Sequence, residues 1–168
     1  MYTRRTTTIN GERATVIPVA DRKRFFASTV RTARGLLPTD LTRFQHHGTF
    51  NLMKIWYGYH RIHFEVVLDQ QINRIEIGLH FEDGPASTLA YLDLFDRQIL
   101  EIKETLGHQT ELERWTQSWG RIYELWPLEN LTAEVGDRTG ERLALYIKTL
   151  WPVVASSGIV HLREDESR

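Results

Sequence analysis

The chain has 168 residues, a formal net charge of −1 and no cysteine. Its apolar and charged fractions, 41% and 26%, are typical of a globular protein, and the length suits a single domain over residues 1–168. The absence of cysteine excludes disulfide frameworks, thiolate zinc sites, iron–sulfur clusters and cysteine nucleophiles. No apolar run approaches the ~20 residues of a membrane span, and the polar N-terminus is unlike a signal peptide. We therefore expect a cytoplasmic protein with no membrane partner.

Charge is distributed unevenly along the chain. Positions 1–43 hold nine basic and three acidic residues, whereas the remainder is acidic. Such asymmetry is found in proteins that bind nucleic acid, and it also arises when a basic helix packs on an acidic sheet within one fold. Both interpretations stay open at this point.

The N-terminal residues predict a small hairpin or a loose arm. Asn10-Gly11 lies between β-prone residues and is typical of a type I′ turn. The flanking residues alternate poorly between apolar and polar. Residues 1–19 are therefore interpreted as either an edge hairpin or a loose arm.

A basic amphipathic helix is predicted over residues 21–34, and Gly35 is expected to end it. One side of this helix is apolar, and the opposite side carries a group of cations. Phosphate groups would offset the unfavourable placement of cations in the first turn of the helix. The candidate nucleic-acid-binding residues are Lys23, Arg24, Arg31 and Arg34.

The most regular β pattern spans residues 61–82. Apolar and polar residues alternate there on both sides of a polar break at 70–73, which predicts two antiparallel strands and a connecting loop. In the register that places Val66 opposite Ile77, every apolar residue meets an apolar partner. A slip of one residue would expose one whole apolar set. The other pairs are Leu68 with Ile75, Phe64 with Leu79, and Ile62 with Phe81.

The remaining segments complete an α+β pattern. Residues 38–48 are predicted to be a connector, and residues 52–57 a strand. One long helix is predicted over 85–106, because Pro85 suits its first position and Gly107 its end. The later segments are strands at 112–115 and 120–126, a helix that begins at Asp137 or Thr139 and is kinked or ended by Pro152, and a solvated tail at 163–168. We predict one α+β domain with a mainly antiparallel sheet of about five strands and helices packed on one face.

Common catalytic motifs are absent from the chain. There is no GxxxxGK[ST], GxGxxG, HExxH or GxSxG pattern. An acidic-x-Lys triplet of the kind that nucleases use, Glu101-Ile102-Lys103, lies on a predicted helix rather than a strand. The sequence therefore assigns no catalytic residue and no cofactor, and it leaves open whether the protein is an enzyme.

The outer face of the predicted hairpin is a candidate ligand site. His63 lies opposite His80 in the register above, and directly opposed β-carbons are about 4.5–5.5 Å apart, close enough for two imidazoles to hold one metal ion. The simpler interpretation is the solvated face of a sheet, and no metal ligand is assigned. Gly78 leaves a gap opposite Glu65 that would admit a ligand, a bulge or a neighbouring backbone. The face comprises His63, Glu65, Glu76 and His80.

The chain is rich in Trp and Tyr, which are enriched at protein interfaces. Most of these side chains are expected in the core. Trp119 is the exception, because it lies in a predicted turn beside Ser118 and Gly120. We interpret Trp119 as a candidate interface residue.

Four short segments in the second half of the chain form a further pattern: Leu94-Phe95-Asp96, Ile102-Lys103-Glu104-Thr105-Leu106-Gly107, Leu112-Glu113-Arg114-Trp115 and Gly120-Arg121-Ile122. This pattern resembles a family of uncharacterised prokaryotic domains, some members of which are fused to restriction-endonuclease-like modules. In that family a helix ending in Glu-x-x-Leu/Phe-Gly is followed by a strand with Trp-Glu or a similar pair and then by Arg-Ile. The resemblance implies an accessory role near nucleic acid and transfers no catalytic residue.

Three hypotheses about function follow from the sequence. The first is a non-catalytic binding or accessory module that forms a homo-oligomer or binds a protein partner. The second is nucleic-acid binding through the basic helix. The third is a small-ligand or metal-dependent hydrolytic site on the face that carries His63 and His80.

Overall fold

The computed structural model describes residues 8–9, 12–13 and 17–159. Thr8–Ile9 and Glu12–Arg13 pair antiparallel, and the predicted turn residues Asn10-Gly11 between them lie outside the described residues. The predicted tail at 163–168 also lies outside them. The helices are α1 (Val19–Leu36), α2 (Pro85–Asp96), α3 (Ile99–Leu106) and α4 (Ala133–Ala155). The strands are β1 (Thr8–Ile9), β2 (Glu12–Arg13), β3 (Gln45–Gly48), β4 (Leu52–Trp56), β5 (Ile62–Asp69), β6 (Arg74–Phe81), β7 (Glu111–Arg114) and β8 (Gly120–Pro127).

Strands β3 to β8 form one antiparallel sheet in the order β3-β4-β5-β6-β8-β7. The predicted α+β class is confirmed, and the sheet has six strands rather than about five. The additional strand is β3, which was predicted as part of a connector. Its four residues are all exposed and join the sheet edge through backbone pairing with β4, so no apolar pattern marks it in the sequence.

The predicted register of the β5–β6 hairpin is confirmed. Val66 pairs with Ile77, and the loop spans residues 70–73 as expected. Asp69 stabilises this loop, because its carboxylate accepts hydrogen bonds from the backbone N–H groups of Gln71 and Ile72. The inward apolar residues of both strands are buried in the core beneath the helices.

In the described part of the chain the helices lie on one face of the sheet. α4 packs on β6 in the middle, α1 packs beside α4, and α2 and α3 lie toward β7 and β8. A buried ion pair holds α4 to the sheet, since Arg142 Nε lies 2.5 Å from Glu124 Oε1. None of the described helices has the length and apolar character needed to cross a bilayer.

Several helix boundaries differ from the predictions. α1 begins at Val19 and continues through Gly35 to Leu36, since a glycine that keeps helical geometry does not end a helix. The predicted long helix is two helices, because Gln98 leaves helical geometry at φ −115° and ψ 9°. α4 begins at Ala133, where the Thr132 side chain accepts a hydrogen bond from the backbone N–H of Val135.

Candidate metal centre

The face of the sheet that points away from the helices carries a cluster of imidazoles and carboxylates. Side chains alternate along a strand, so the residues between the core positions of β5 and β6 share this face. His63 pairs directly with His80, and Glu65 pairs with Gly78. Glu82 follows β6 and keeps the same alternation. The centre is defined here as His63, Glu65, His80 and Glu82, with Glu76 bound to it.

These side chains are buried, which contradicts the simpler expectation of a solvated face. His63 and His80 expose 1% and 2% of their surface, and Glu65 and Glu76 are also buried. The Trp115 ring covers His80 edge-on, with centroids 6.1 Å apart. Burial of this many ionisable groups is costly unless they are paired or bind a cation.

Four potential ligand atoms converge within this cluster. Glu65 Oε2 lies 3.1 Å from His63 Nε2 and 3.0 Å from His80 Nδ1. Glu82 Oε1 lies 3.9 and 3.8 Å from the same two nitrogens. All four side chains offer ligand atoms within 4.8 Å of one another. Zinc bonds of about 2.0–2.2 Å place tetrahedral ligand atoms about 3.3 Å apart, so the cluster needs only small adjustments to hold an ion.

The outer nitrogen of each imidazole is bound to an acceptor. His63 Nδ1 lies 2.8 Å from the backbone carbonyl oxygen of His60, and His80 Nε2 lies 2.7 Å from Glu76 Oε1. Because a carbonyl or carboxylate oxygen can only accept, each of these ring nitrogens donates a proton. With a metal ion in place of the proton between His63 Nε2 and Glu65 Oε2, the lone pairs of His63 Nε2 and His80 Nδ1 would point at the ion. Ligating histidines in metal sites are oriented in this way.

A chain of charged groups fixes His80 from outside the centre. Arg121 Nη1 donates to Glu76 Oε2 at 2.8 Å, and its Nε and Nη2 donate to Glu113 at 2.9 and 2.7 Å. The Arg121 guanidinium also stacks over the rings of Trp115 and Tyr123, at 4.6 and 3.9 Å. These contacts hold the position of Glu76.

The carboxylates of Glu65 and Glu82 favour a positive charge inside the centre. His80 Nδ1 is buried and has no hydrogen-bond partner, although two carboxylates face it. Burial alone would lower the pKa of His80, but the hydrogen bond that its Nε2 donates to Glu76 and the charges of the carboxylates that face Nδ1 raise that pKa to about 9. Burial opposes ionisation of Glu65, yet the hydrogen bond and charges from the imidazoles hold the pKa of Glu65 below its usual value. Glu65 and Glu82 therefore stay ionised, and their negative charge attracts a proton or a metal cation into the site.

The four residues of the predicted ligand face thus lie close together in the structure, with two differences from the prediction. Glu76 orients His80 instead of pointing into the centre, and Glu82 joins the converging group although the prediction omitted it. Its position two residues after His80 was the signal that could have identified it. The gap at Gly78 is filled by neighbouring backbone, since a β-carbon there would lie 2.5 Å from the Ile122 carbonyl oxygen.

The candidate basic residues lie elsewhere, on the exposed side of α1. Arg24 is paired with Asp21, Arg31 lies 3.4 Å from Asp137, and the Arg34 guanidinium lies 4.4 Å from the Phe44 ring centroid. Lys23 is also exposed.

Trp119, the candidate interface residue, is exposed. Its exposed fraction is 41%, that of Trp115 is 48%, and the two ring centroids lie 5.9 Å apart. The pair forms an aromatic patch beside the metal centre.

No protein-family model matches the chain, and a search of curated proteins finds no match. The resemblance to nuclease-associated prokaryotic domains therefore stays a prediction.

Proposed function

We propose that this protein binds one divalent transition-metal ion through His63, His80, Glu65 and Glu82, and that this centre is its functional site. The observation that carries the proposal is the convergence of two imidazole nitrogens and two carboxylates within 4.8 Å of one another, at a buried place where His80 Nδ1 faces both carboxylates without a hydrogen bond. A metal ion would satisfy all four groups at once.

The ligand set favours Zn²⁺. Mg²⁺ and Ca²⁺ prefer oxygen ligands, whereas imidazole with carboxylate suits zinc and its first-row neighbours. Four protein ligands match the tetrahedral geometry of zinc. The absence of cysteine removes the thiolate ligands that would select copper(I) or an iron–sulfur cluster.

Glu82 is the ligand that an incoming molecule could displace. It is 19% exposed, lies farther from the imidazoles than Glu65 does, and is 3.6 Å from Lys54 Nζ. The other three ligands form a His₂Glu set, which in catalytic zinc sites leaves one position for water or substrate. This arrangement supports a hydrolytic role, with the ion as Lewis acid and a displaced Glu82 as the nearby base.

Calorimetric titration of Zn²⁺ into chelator-stripped, tag-free protein tests the proposal. We expect one ion per chain and a loss of affinity of at least about 100-fold in His80→Ala, because the variant removes a ligand. His108→Ala is the matched control, since His108 is exposed and lies outside the centre. Equal zinc affinity in wild type and His80→Ala, with both proteins folded by circular dichroism, would contradict the proposal.

A second candidate function is association with a protein partner or a second copy of the chain through the Trp115–Trp119 patch. Two neighbouring exposed indoles favour it, because Trp is enriched at the centres of interfaces. Sedimentation equilibrium at tens of micromolar should show self-association that Trp119→Ser weakens. A wild-type chain that stays strictly monomeric would remove the homo-oligomer form of this hypothesis.

Nucleic-acid binding through the basic helix stays a third prediction. Replacing Arg24, Arg31 and Arg34 together with Ala should lower affinity for DNA or RNA and reduce its dependence on salt. Unchanged binding in that variant would contradict it.

A further inference from the structure

A large cavity lies between α1 and the β3–β4 edge of the sheet, on the helix side and thus across the sheet from the metal centre. Its volume is about 930 Å³, which is within the range of small-molecule binding sites. Met53 lines it from β4, and Phe50 lines it from the β3–β4 turn. The cavity forms because α1 packs on α4 rather than down onto the edge strands.

Half of the α1 side chains that line this cavity are apolar, and the other half are cationic. Val19, Phe26 and Val30 contribute to its wall, and Phe50 remains 58% exposed at its boundary. An apolar chain bound here would remove the exposed surfaces of Val19 and Phe50 from water, at about 25 cal/mol per Å² of apolar area.

Arg22 is the polar group that points to a specific ligand. The residue lines the cavity and is only 4% exposed. Its guanidinium lies 3.5 Å from the Phe50 ring centroid, and its Nη2 makes one long contact, 3.4 Å, with Gln70. Its Nε and Nη1 are buried and have no hydrogen-bond partner. An arginine that is charged and unpaired inside a protein is costly, so an anion that pairs with it would be favoured.

No carboxylate from residues 17–159 supplies that anion, since none forms an ion pair with Arg22. The cavity is also bordered by three exposed cations, Lys23, Arg31 and Arg34. Three of the four residues predicted to bind nucleic acid thus surround this cavity. Arg24, the fourth, is not among its lining residues.

We propose that this cavity binds an amphiphile with an apolar chain and an anionic head group, whose carboxylate or phosphate pairs with Arg22. The planar guanidinium suits both head groups, because each can accept two parallel hydrogen bonds. The apolar wall accounts for the chain, and the exposed cations attract the head group during entry. A nucleic acid would leave the apolar interior of the cavity unfilled.

Calorimetric titration of the full-length protein with dodecanoate, below its critical micelle concentration, tests this proposal. We expect saturable one-to-one binding, and binding of dodecanol at least about tenfold weaker because the neutral head group leaves Arg22 unpaired. Dodecyl phosphate distinguishes the two head groups. Tighter binding than dodecanoate would assign the site to a phosphate, and weaker binding would assign it to a carboxylate.

Two arginine variants on one helix separate the site from general charge effects. Arg22→Met should weaken dodecanoate binding at least about tenfold without lowering the melting temperature, since it replaces an unpaired buried cation with an apolar chain of similar length. Arg24→Met removes the same charge outside the cavity and should bind as wild type does. The proposal is overturned if dodecanoate does not bind, if dodecanol binds equally well, or if Arg22→Met retains wild-type affinity.

Discussion

At the scale of single residues, the orientation of His80 depends on a carboxylate that does not itself enter the metal centre. Glu76 accepts the Nε2 proton of His80 and is in turn held by Arg121. Groups in this position fix the imidazole ring and raise its basicity as a ligand. Glu113 also accepts hydrogen bonds from Arg121 but has no contact with His80. Substitution of Glu113 is therefore a control for substitution of Glu76.

We predict that Glu76→Gln lowers zinc affinity by about 10–100-fold, because the amide oxygen accepts the same proton without the negative charge. Glu113→Gln should change the affinity much less. Competition with a chromogenic zinc chelator measures both. An equal effect of the two substitutions would show that Arg121, rather than the bond to His80, accounts for the change.

The metal-free protein should become less stable as pH rises from about 6.5 to 9. The pKa of His80 is raised from 6.5 in the unfolded chain to about 9 in the folded protein. A raised pKa stabilises the fold fully below the unfolded value, and this contribution is lost as pH passes through the folded value. Urea unfolding in the presence of a chelator measures the free energy of unfolding at each pH. In His80→Gln this free energy should depend less on pH over the same range. A wild-type profile as flat as that of the variant would contradict the assigned charge state.

Sequence periodicity predicts that three of the four converging side chains, His63, Glu65 and His80, share a face, because alternation with buried neighbours specifies which strand positions lie on the same side of a sheet. The same pattern could not predict that this face is buried. His80 is covered by the Trp115 ring, which in turn stacks with the Arg121 guanidinium, and both residues lie more than thirty positions away in the chain. Contacts of that kind follow from strand order, and the position of β8 beside β6 is not encoded in local spacing.

At the scale of elements, the crossing of α1 and α4 depends on two glycines and one carboxylate. A β-carbon at Gly140 would lie 2.6 Å from the Thr29 carbonyl oxygen, and one at Gly136 would lie 2.9 Å from the Ser28 β-carbon. Asp137, between them, accepts hydrogen bonds from Ser28 at 2.5 Å and Thr32 at 2.7 Å. These contacts hold α1 close to α4 and so keep the cavity open at the sheet edge.

We predict that Gly140→Ala destabilises the protein by about 1–3 kcal/mol, since the added methyl group meets backbone atoms of α1 that cannot move freely. Gly35→Ala is the matched control. Gly35 is helical and has no atom near its absent β-carbon, so alanine should stabilise α1 by roughly 0.5–1 kcal/mol. Chemical denaturation measures both changes. Destabilisation by Gly35→Ala of the same size would contradict the proposed close contact.

Elements with strong internal periodicity were predicted well, and those that depend on distant partners were not. The predicted register of the β5–β6 hairpin agrees with the structure at every residue pair, because each apolar position requires an apolar partner. The residues of β3 need no apolar partners, since this strand pairs with β4 through its backbone at the edge of the sheet. The break between α2 and α3 occurs at Gln98, a residue with no helix-ending propensity in the sequence.

At the scale of the whole molecule, the sheet separates the two proposed sites. The metal centre lies on the face away from the helices, and the Arg22 cavity lies between the helices and the opposite face. We therefore predict little coupling between them: zinc should not change dodecanoate affinity, and Arg22→Met should not change zinc affinity. A change of more than about tenfold in either titration would show that the two faces are coupled.

The most direct test of the metal centre is native mass spectrometry of the tag-free chain after equilibration with zinc. The account predicts a single mass increment of one zinc ion per wild-type chain and none in the double variant His63→Ala/His80→Ala, with folding of the variant confirmed separately. The same adduct distribution in both proteins would contradict a zinc centre built on these two histidines.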